Sequence, residues 1–270
     1  MIRALHIIGS LERAGIQSFV MNLYRTIDRN KIQFDFAIYN APTENSYAEE
    51  AKKLGARIFL IPPKNEGFSR NYRAIRDLVR NERYEVVWRG CSNCFAGLDL
   101  VAAKAGGARK RILHSHNTHV KGANLLLHYL FRPLCNAYAT QRLSCGIKAG
   151  QWMFGKRSFQ VIPNGIDTGK FKYNEEVRKQ YRADFSIQNR FVIGSVARFD
   201  EQKNQGFMLN VLDEYNRLYG NAVLLLVGDG PLKSECERKA KELGIESDVL
   251  FLGRRADVAE LMQTMDVFIM

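Results

Sequence analysis

The sequence has no run of about 18 or more uncharged apolar residues, so no transmembrane helix is expected. Its first residues, Met1-Ile2-Arg3-Ala4-Leu5-His6-Ile7-Ile8-Gly9, are apolar over only a strand's length and carry no cleavage site. They lack the features of a signal peptide, and the chain is expected in the cytoplasm. Five cysteines, an odd number without a regular framework, fit a reducing compartment better than a disulfide scaffold. Helix-turn-helix, RNP and zinc-finger signatures are missing, and nucleic acid is not an expected partner. The turn Gly9–Gln17 follows the first strand but is neither G-x-G-x-x-G nor G-x-x-x-x-G-K-[ST]. Tyr39-Asn40-Ala41, after the second strand, supplies no acidic ribose ligand, which disfavours nicotinamide binding.

What is present fits a globular α/β protein. A chain of 270 residues with 46% hydrophobic content buries one large core or two ordinary ones. The net charge of +12 is unevenly spread. Residues 1–165 carry 25 Lys and Arg against 11 Asp and Glu, while residues 166–270 carry 15 against 17. Such an imbalance suggests different partners for the two halves, with an anionic membrane surface or nucleic acid able to attract the basic one. Many solvated lysines and arginines on a soluble protein give the same numbers.

Short apolar runs alternate with helical periodicity. Strands are predicted at Ala4–Ile8, Phe34–Tyr39, Arg57–Ile61, Glu85–Trp88, Arg111–His114, Arg142–Cys145 and Phe159–Ile162. Helices are predicted at Gln17–Ile27, Tyr47–Leu54, Tyr72–Asn81 and Phe95–Ala105. The turn Pro163-Asn164-Gly165-Ile166-Asp167 leads into a polar stretch, Lys170–Arg190, and the alternation restarts at Phe191. The fold class predicted is α/β, with two doubly wound Rossmann-like domains spanning 1–164 and 165–270.

The second domain holds the clearest chemistry. Strand Phe191–Val196 runs into Ala197-Arg198-Phe199-Asp200-Glu201-Gln202-Lys203-Asn204, strand Val223–Val227 into Gly228-Asp229-Gly230-Pro231, and strand Val249–Leu252 into Gly253-Arg254-Arg255. Ligand sites of parallel sheets lie at the carboxyl ends of strands. Arg198 and Lys203 there, with a helix expected to open near Asn204, suit a diphosphate. Pro231 is predicted in the first turn of a helix over Leu232–Leu243. Two exposed cations on a loop are the plainer alternative.

In the first domain His114-Ser115-His116-Asn117-Thr118-His119 ends a strand, with His114 and His116 on one face. One of these histidines is a candidate partner for a substrate hydroxyl. Cys91-Ser92-Asn93-Cys94 ends the preceding strand, but the mixture lacks structural zinc spacing, and no metal site is predicted. Lys104, Arg109, Lys110 and Arg111 form a basic cluster, and Lys121 through Arg132 brackets an apolar stretch with Tyr129 and Phe131. That stretch reads either as a surface meeting anionic lipid or lipid-linked phosphate, or as a core helix with a solvated flank.

Taken together, these motifs resemble the retaining glycosyltransferases of family 4, with the GT-B architecture, of the type that builds bacterial exopolysaccharide or capsule. The resemblance rests on Arg198–Asn204, on Gly228-Asp229-Gly230-Pro231-Leu232-Lys233 through Phe251–Val258, on Arg111–Thr118 and on Pro163–Asp167. It implies sugar transfer with retention from a nucleotide-sugar, expected to be a UDP-sugar, to a lipid-linked or saccharide acceptor. Arg198 and Lys203 would hold the diphosphate, Gly230 would admit the nucleotide, and Arg255 and Asp257 would lie in the loop bordering the base. His116 would meet the donor sugar and the acceptor hydroxyl, and Gly15 the donor phosphate. No cofactor or metal is implied, and the basic half would face the inner membrane surface. The chain departs from the family's paired glycines at Ala14-Gly15. It also ends at Met270, before the family's two glutamates separated by seven residues. The second domain is therefore expected to be incomplete, and transferase activity weak or absent. A sugar-nucleotide epimerase of the same fold and a non-catalytic anion-binding protein are the alternatives.

Overall fold

Every position of Ala222–Val227 is buried, as are the last five of Ile2–Ile8 and the last six of Ile32–Ile38. Strands buried on both faces belong to parallel sheets covered by helices, and both sheets of the computed structural model are built that way. It describes residues 1–44, 46–120 and 122–270. Lys121, the first residue of the predicted basic and apolar stretch, lies outside the described residues.

The chain divides into two compact units, Met1–Ile166 and Asp167–Met270. In the first, β1 (Ile2–Ile8), α1 (Gly15–Thr26), β2 (Ile32–Ile38), α2 (Ala48–Lys53), β3 (Ile58–Leu60) and α3 (Phe68–Asn81) are followed by β4 (Val86–Cys91) and α4 (Gly97–Gly106). Then come β5 (Lys110–Ser115), α5 (Ala123–Tyr138), β6 (Gln141–Ser144), α6 (Ile147–Phe154) and β7 (Gln160–Val161). The sheet order β3-β2-β1-β4-β5-β6-β7 is parallel throughout and reverses direction of growth between β1 and β4. The second unit contains α7 (Glu175–Asp184), β8 (Phe191–Val196), α8 (Gln205–Leu218), β9 (Ala222–Val227), α9 (Lys233–Glu242), β10 (Val249–Gly253), α10 (Val258–Gln263) and β11 (Val267–Phe268), with sheet order β10-β9-β8-β11. Among the described residues, no helix is long and apolar enough to cross a membrane.

The predicted strands all appear, with ends shifted by at most three residues and Phe191–Val196 unshifted. Three helical details differ. The helix predicted from Tyr72 begins at Phe68, just after Gly67, whose φ of 137° breaks the preceding turn. The polar stretch Lys170–Arg190 contains α7, whose amino terminus is capped by the Asn174 side chain accepting from the N–H groups of Glu176 and Val177. Pro231 stays in the turn before α9.

A buried charge network ties α4 to the carboxyl edge of the first sheet. Asp99, on α4, is fully buried, with Lys64 Nζ at 2.5 Å and Arg89 Nε at 2.6 Å. Tyr39 Oη donates to the same carboxylate at 2.9 Å, and Arg89 also donates to the carbonyls of Ile7 and Gly90. Burial alone would push the Asp99 carboxyl up, but the two cations hold it below the usual range. Burial also lowers the Lys64 ammonium.

Asp99→Asn leaves two buried cations without a counter-charge, and breaking such pairs costs about 3–5 kcal/mol. Both tryptophans, Trp88 and Trp152, lie in the first unit, so denaturation followed by tryptophan fluorescence reads that loss. A cost under about 1 kcal/mol would show that the network contributes little.

Candidate functional site

The carboxyl edge of the second sheet is set by two interlocked turns. The N–H of Phe199 donates to the Asp229 carbonyl at 3.1 Å, and the N–H of Leu232 returns to the Phe199 carbonyl at 3.3 Å. The approach is so close that a Cβ on Gly228 would lie 2.0 Å from the Ala197 oxygen, and one on Gly230 2.3 Å from the Phe199 oxygen. Gly228 also has φ at 137°, a left-handed value that glycine alone adopts readily. The contact demanding glycine at 230 is thus with the neighbouring turn.

This clamp buries Phe199 to 1% exposure and leaves Arg198 outside. Gln205, buried at the start of α8, donates to the Arg198 carbonyl at 2.9 Å and holds the turn. Lys203 follows, half-buried, and Asn204 takes a left-handed φ of 51° to begin the helix. No side chain caps α8, so its first N–H groups remain available beside the two cations. Neither Arg198 nor Lys203 has a side-chain ion pair or hydrogen bond among the described residues. Two unneutralised cations beside an open helix terminus are chemically suited to an anion.

Arg255 and Asp257 sit in the turn after β10 and are paired, with Arg255 Nε to Asp257 Oδ1 at 2.9 Å and Nη2 to Oδ2 at 2.6 Å. The hydrogen bond to Arg255 holds the Asp257 carboxyl below its usual range, and Tyr181 Oη adds a donor at 3.1 Å. The two therefore arrive as one orienting pair. Arg254 lies 3.7 Å from Asp229, linking this turn to the one after β9.

In the first unit, β1 and β5 bring three imidazoles together. The rings of His114 and His116 are 4.0 Å apart, Trp88 stacks on His114 at 5.8 Å, and His6 meets Trp88 edge-on at 5.0 Å. Phe19, from α1, caps His114 and His116 at 5.2 and 5.5 Å. None of the six ring nitrogens has a hydrogen-bond partner among the described residues. Burial, then the neighbouring His116, pushes His114 down to about 3, and burial pushes His116 down to about 4. Burial, then Arg89, takes His6 well below its usual value. Their neutral forms are favoured at neutral pH, and both ring nitrogens of half-buried His116 are themselves shielded from solvent. Gly15 opens α1, and a Cβ there would meet nothing within 4 Å, so packing in this unit does not demand its glycine.

The structure groups Arg198, Lys203 and Gly230 at one sheet edge, with Arg255 and Asp257 beyond the adjacent β10. His116 and Gly15 belong to the first unit. Sequence reading missed His6, Phe19 and Trp88 around His116, as well as the Arg89–Asp99–Lys64 network. An arginine inside the apolar strand Val86-Val87-Trp88-Arg89 was the available signal, because a strand buried on both faces carries a charge only with a partner. Among the described residues no group of three or more His, Cys, Asp or Glu side chains is arranged to hold an ion.

Comparison with known proteins gives a consistent result. Residues 177–270 match the family model described as glycosyl transferases group 1. The chain is similar to the putative glycosyltransferase EpsF of Bacillus subtilis (strain 168), at 36% identity over 280 residues, covering 99% of this chain and 72% of the relative. It is also similar to the GDP-mannose-dependent alpha-(1-6)-phosphatidylinositol monomannoside mannosyltransferase of Mycolicibacterium smegmatis, at 26% identity over 88% of this chain and 63% of that protein. Among solved structures, Anabaena Alr3699/HepE in complex with UDP-glucose superposes with a TM-score of 0.81 at 19% identity, covering 99% of this chain and 73% of that one.

The histidine cluster makes the first unit acid-sensitive. A histidine whose folded value is depressed stabilises above its unfolded value of about 6.5, and that stability is lost as pH falls toward the folded value. Each contributes up to about 1.4 kcal/mol per pH unit in that window. Tryptophan-monitored unfolding should therefore show stability dropping from about pH 6.5 to 5, with a shallower slope in His114→Gln. A flat profile in the unmodified chain would contradict three buried neutral imidazoles.

Proposed function

The chain belongs to the glycosyl transferases group 1, of GT-B fold, and from that premise we propose that it moves a sugar from a UDP-sugar to a lipid-linked or saccharide acceptor in extracellular polysaccharide synthesis. The observation that carries this reading is the pair of unpaired cations, Arg198 and Lys203, held beside the uncapped start of α8. In the proposed reaction the bond from the anomeric carbon to the diphosphate breaks, and negative charge develops on the departing phosphate oxygens. Fixed donors and a helix dipole stabilise such charge, so no bound metal or other cofactor is invoked.

Arg198 and Lys203 take the diphosphate, while the turn at Gly230 and the Arg255–Asp257 pair border the nucleotide. The acceptor hydroxyl attacks from the face the diphosphate leaves, with retention, its proton passing to the departing phosphate oxygen, and His116 lies beside that hydroxyl. Gly15 gives its backbone N–H to the donor. Its open surroundings favour a ligand role over a packing one. UDP is preferred as the nucleotide because the solved structure of like fold holds UDP-glucose. The mannosyltransferase relative is GDP-mannose-dependent and acts on a phosphatidylinositol mannoside, which makes GDP-mannose the competing donor and supports a lipid acceptor. A peripheral position at the inner membrane surface completes the reading.

Calorimetric titration of UDP-glucose and GDP-mannose into the whole chain separates the two donors. Arg198→Ala should weaken the UDP-sugar by about 10- to 100-fold, the worth of one hydrogen bond to a charged group. Unchanged affinity would remove Arg198 from the diphosphate site.

A further inference from the structure

The loop that carries the two cations is closed on itself at both ends. At the Lys203 end, the N–H of Lys203 donates to the Asp200 carbonyl at 3.1 Å and to Asp200 Oδ1 at 3.2 Å, and the N–H of Asn204 donates to the same carbonyl at 3.2 Å. At the Arg198 end a side chain reaches back. Gln205, the first residue of α8, donates from Nε2 to the Arg198 carbonyl, seven residues earlier, at 2.9 Å. Arg198 is exposed and its guanidinium has no partner among the described residues, so its backbone sets where that charge stands.

A glutamine is out of place here on packing grounds. The buried face of α8 runs through Gln205, Met208, Leu209 and Leu212, the i, i+3, i+4, i+7 spacing of an apolar stripe, and Gln205 is its one polar member. The side chain is 2% exposed, and its Oε1 is buried with no hydrogen-bond partner among the described residues. Leaving a buried acceptor unpaired costs stability that an apolar side chain of the same length avoids. A polar residue that breaks the local pattern without full satisfaction marks a functional position, and the one bond its amide makes goes to the peptide of the proposed diphosphate-binding arginine.

We propose that Gln205 is the positioning residue of the diphosphate site. Its amide fixes the Arg198 peptide so that the guanidinium stands beside Lys203 and the start of α8 before a ligand arrives. A loop already ordered loses less conformational freedom on binding, and the gain falls on the phosphate-bearing part of the ligand. This inference rests on the diphosphate reading of Arg198 and names the group on which Arg198 depends.

Titration of the whole chain with UDP and with uridine, followed by amide chemical shifts, tests it. Gln205→Met keeps the length and removes the donor. It should weaken UDP about three- to tenfold, the cost of ordering one long side chain on binding, and leave uridine unchanged. In an Arg198→Ala background the same substitution should weaken UDP no further. The melting temperature should hold or rise, because the unpaired Oε1 is lost with the amide. In the free chain the Phe199 amide, which shares a peptide unit with the Arg198 carbonyl, should shift. Gln205→Leu is the second variant, with the same expected pattern. UDP affinity unchanged in both variants while Arg198→Ala weakens it would overturn the inference and spare the diphosphate reading. A full further loss in the Arg198→Ala background, or UDP and uridine weakened alike with a lowered melting temperature, would reduce Gln205 to a packing role. Arg198→Ala without effect on UDP would sink the diphosphate reading itself, and this inference with it.

Discussion

The carboxyl edge of the second unit's sheet depends on one close backbone approach. The turns after β8 and β9 touch where Gly228 and Gly230 meet Ala197 and Phe199, leaving no room for a side chain. Two backbone hydrogen bonds lock the contact, and Phe199 is pulled into the core. As a result Arg198 points outward, Asn204 turns left-handed, and α8 begins beside Lys203 with its terminal N–H groups open. Two like charges then stand near a positive helix end, on a turn held by backbone hydrogen bonds. An anion bound there would relieve that charge.

The first unit handles desolvation in two opposite ways. Asp99 buries its charge with Arg89 and Lys64 arranged around it, so the ions persist inside the protein. On β1 and at the end of β5 three histidines are wholly or partly buried without any counter-charge, and burial favours their neutral forms instead. One arrangement holds α4 to the sheet by charge pairing, while the other packs neutral imidazoles against Trp88 and Phe19.

Much of the architecture was legible because its signals are local. Strands buried on both faces read as continuous apolar runs, as at Phe191–Val196 and Val223–Val227, and the His114 and His116 pairing follows from two-residue periodicity. What stayed hidden is non-local. Glycine at 230 looked like room for a ligand, but its demand comes from a turn 31 residues earlier in the chain. The partners of Arg89 lie on other elements, and nothing in the spacing joins Lys64 to Asp99. Helix α7 looked like a solvated charged stretch, since its apolar contacts, Tyr181 and Phe185, are few. The stretch ending at Arg132 had two readings, and α5 satisfies both by burying His128 while exposing Leu126 and Leu130.

The central claim is that the turn after β8, braced by the turn after β9, holds the diphosphate of a nucleotide. Backbone amide chemical shifts of the whole chain, followed as UDP is added, test it most directly. The account predicts that the largest changes fall on Arg198, Lys203, Gln205 and Gly230, with saturation at a single dissociation constant. Changes confined to residues outside Ala197–Gln205 and Gly228–Leu232, or none at saturating UDP, would contradict it.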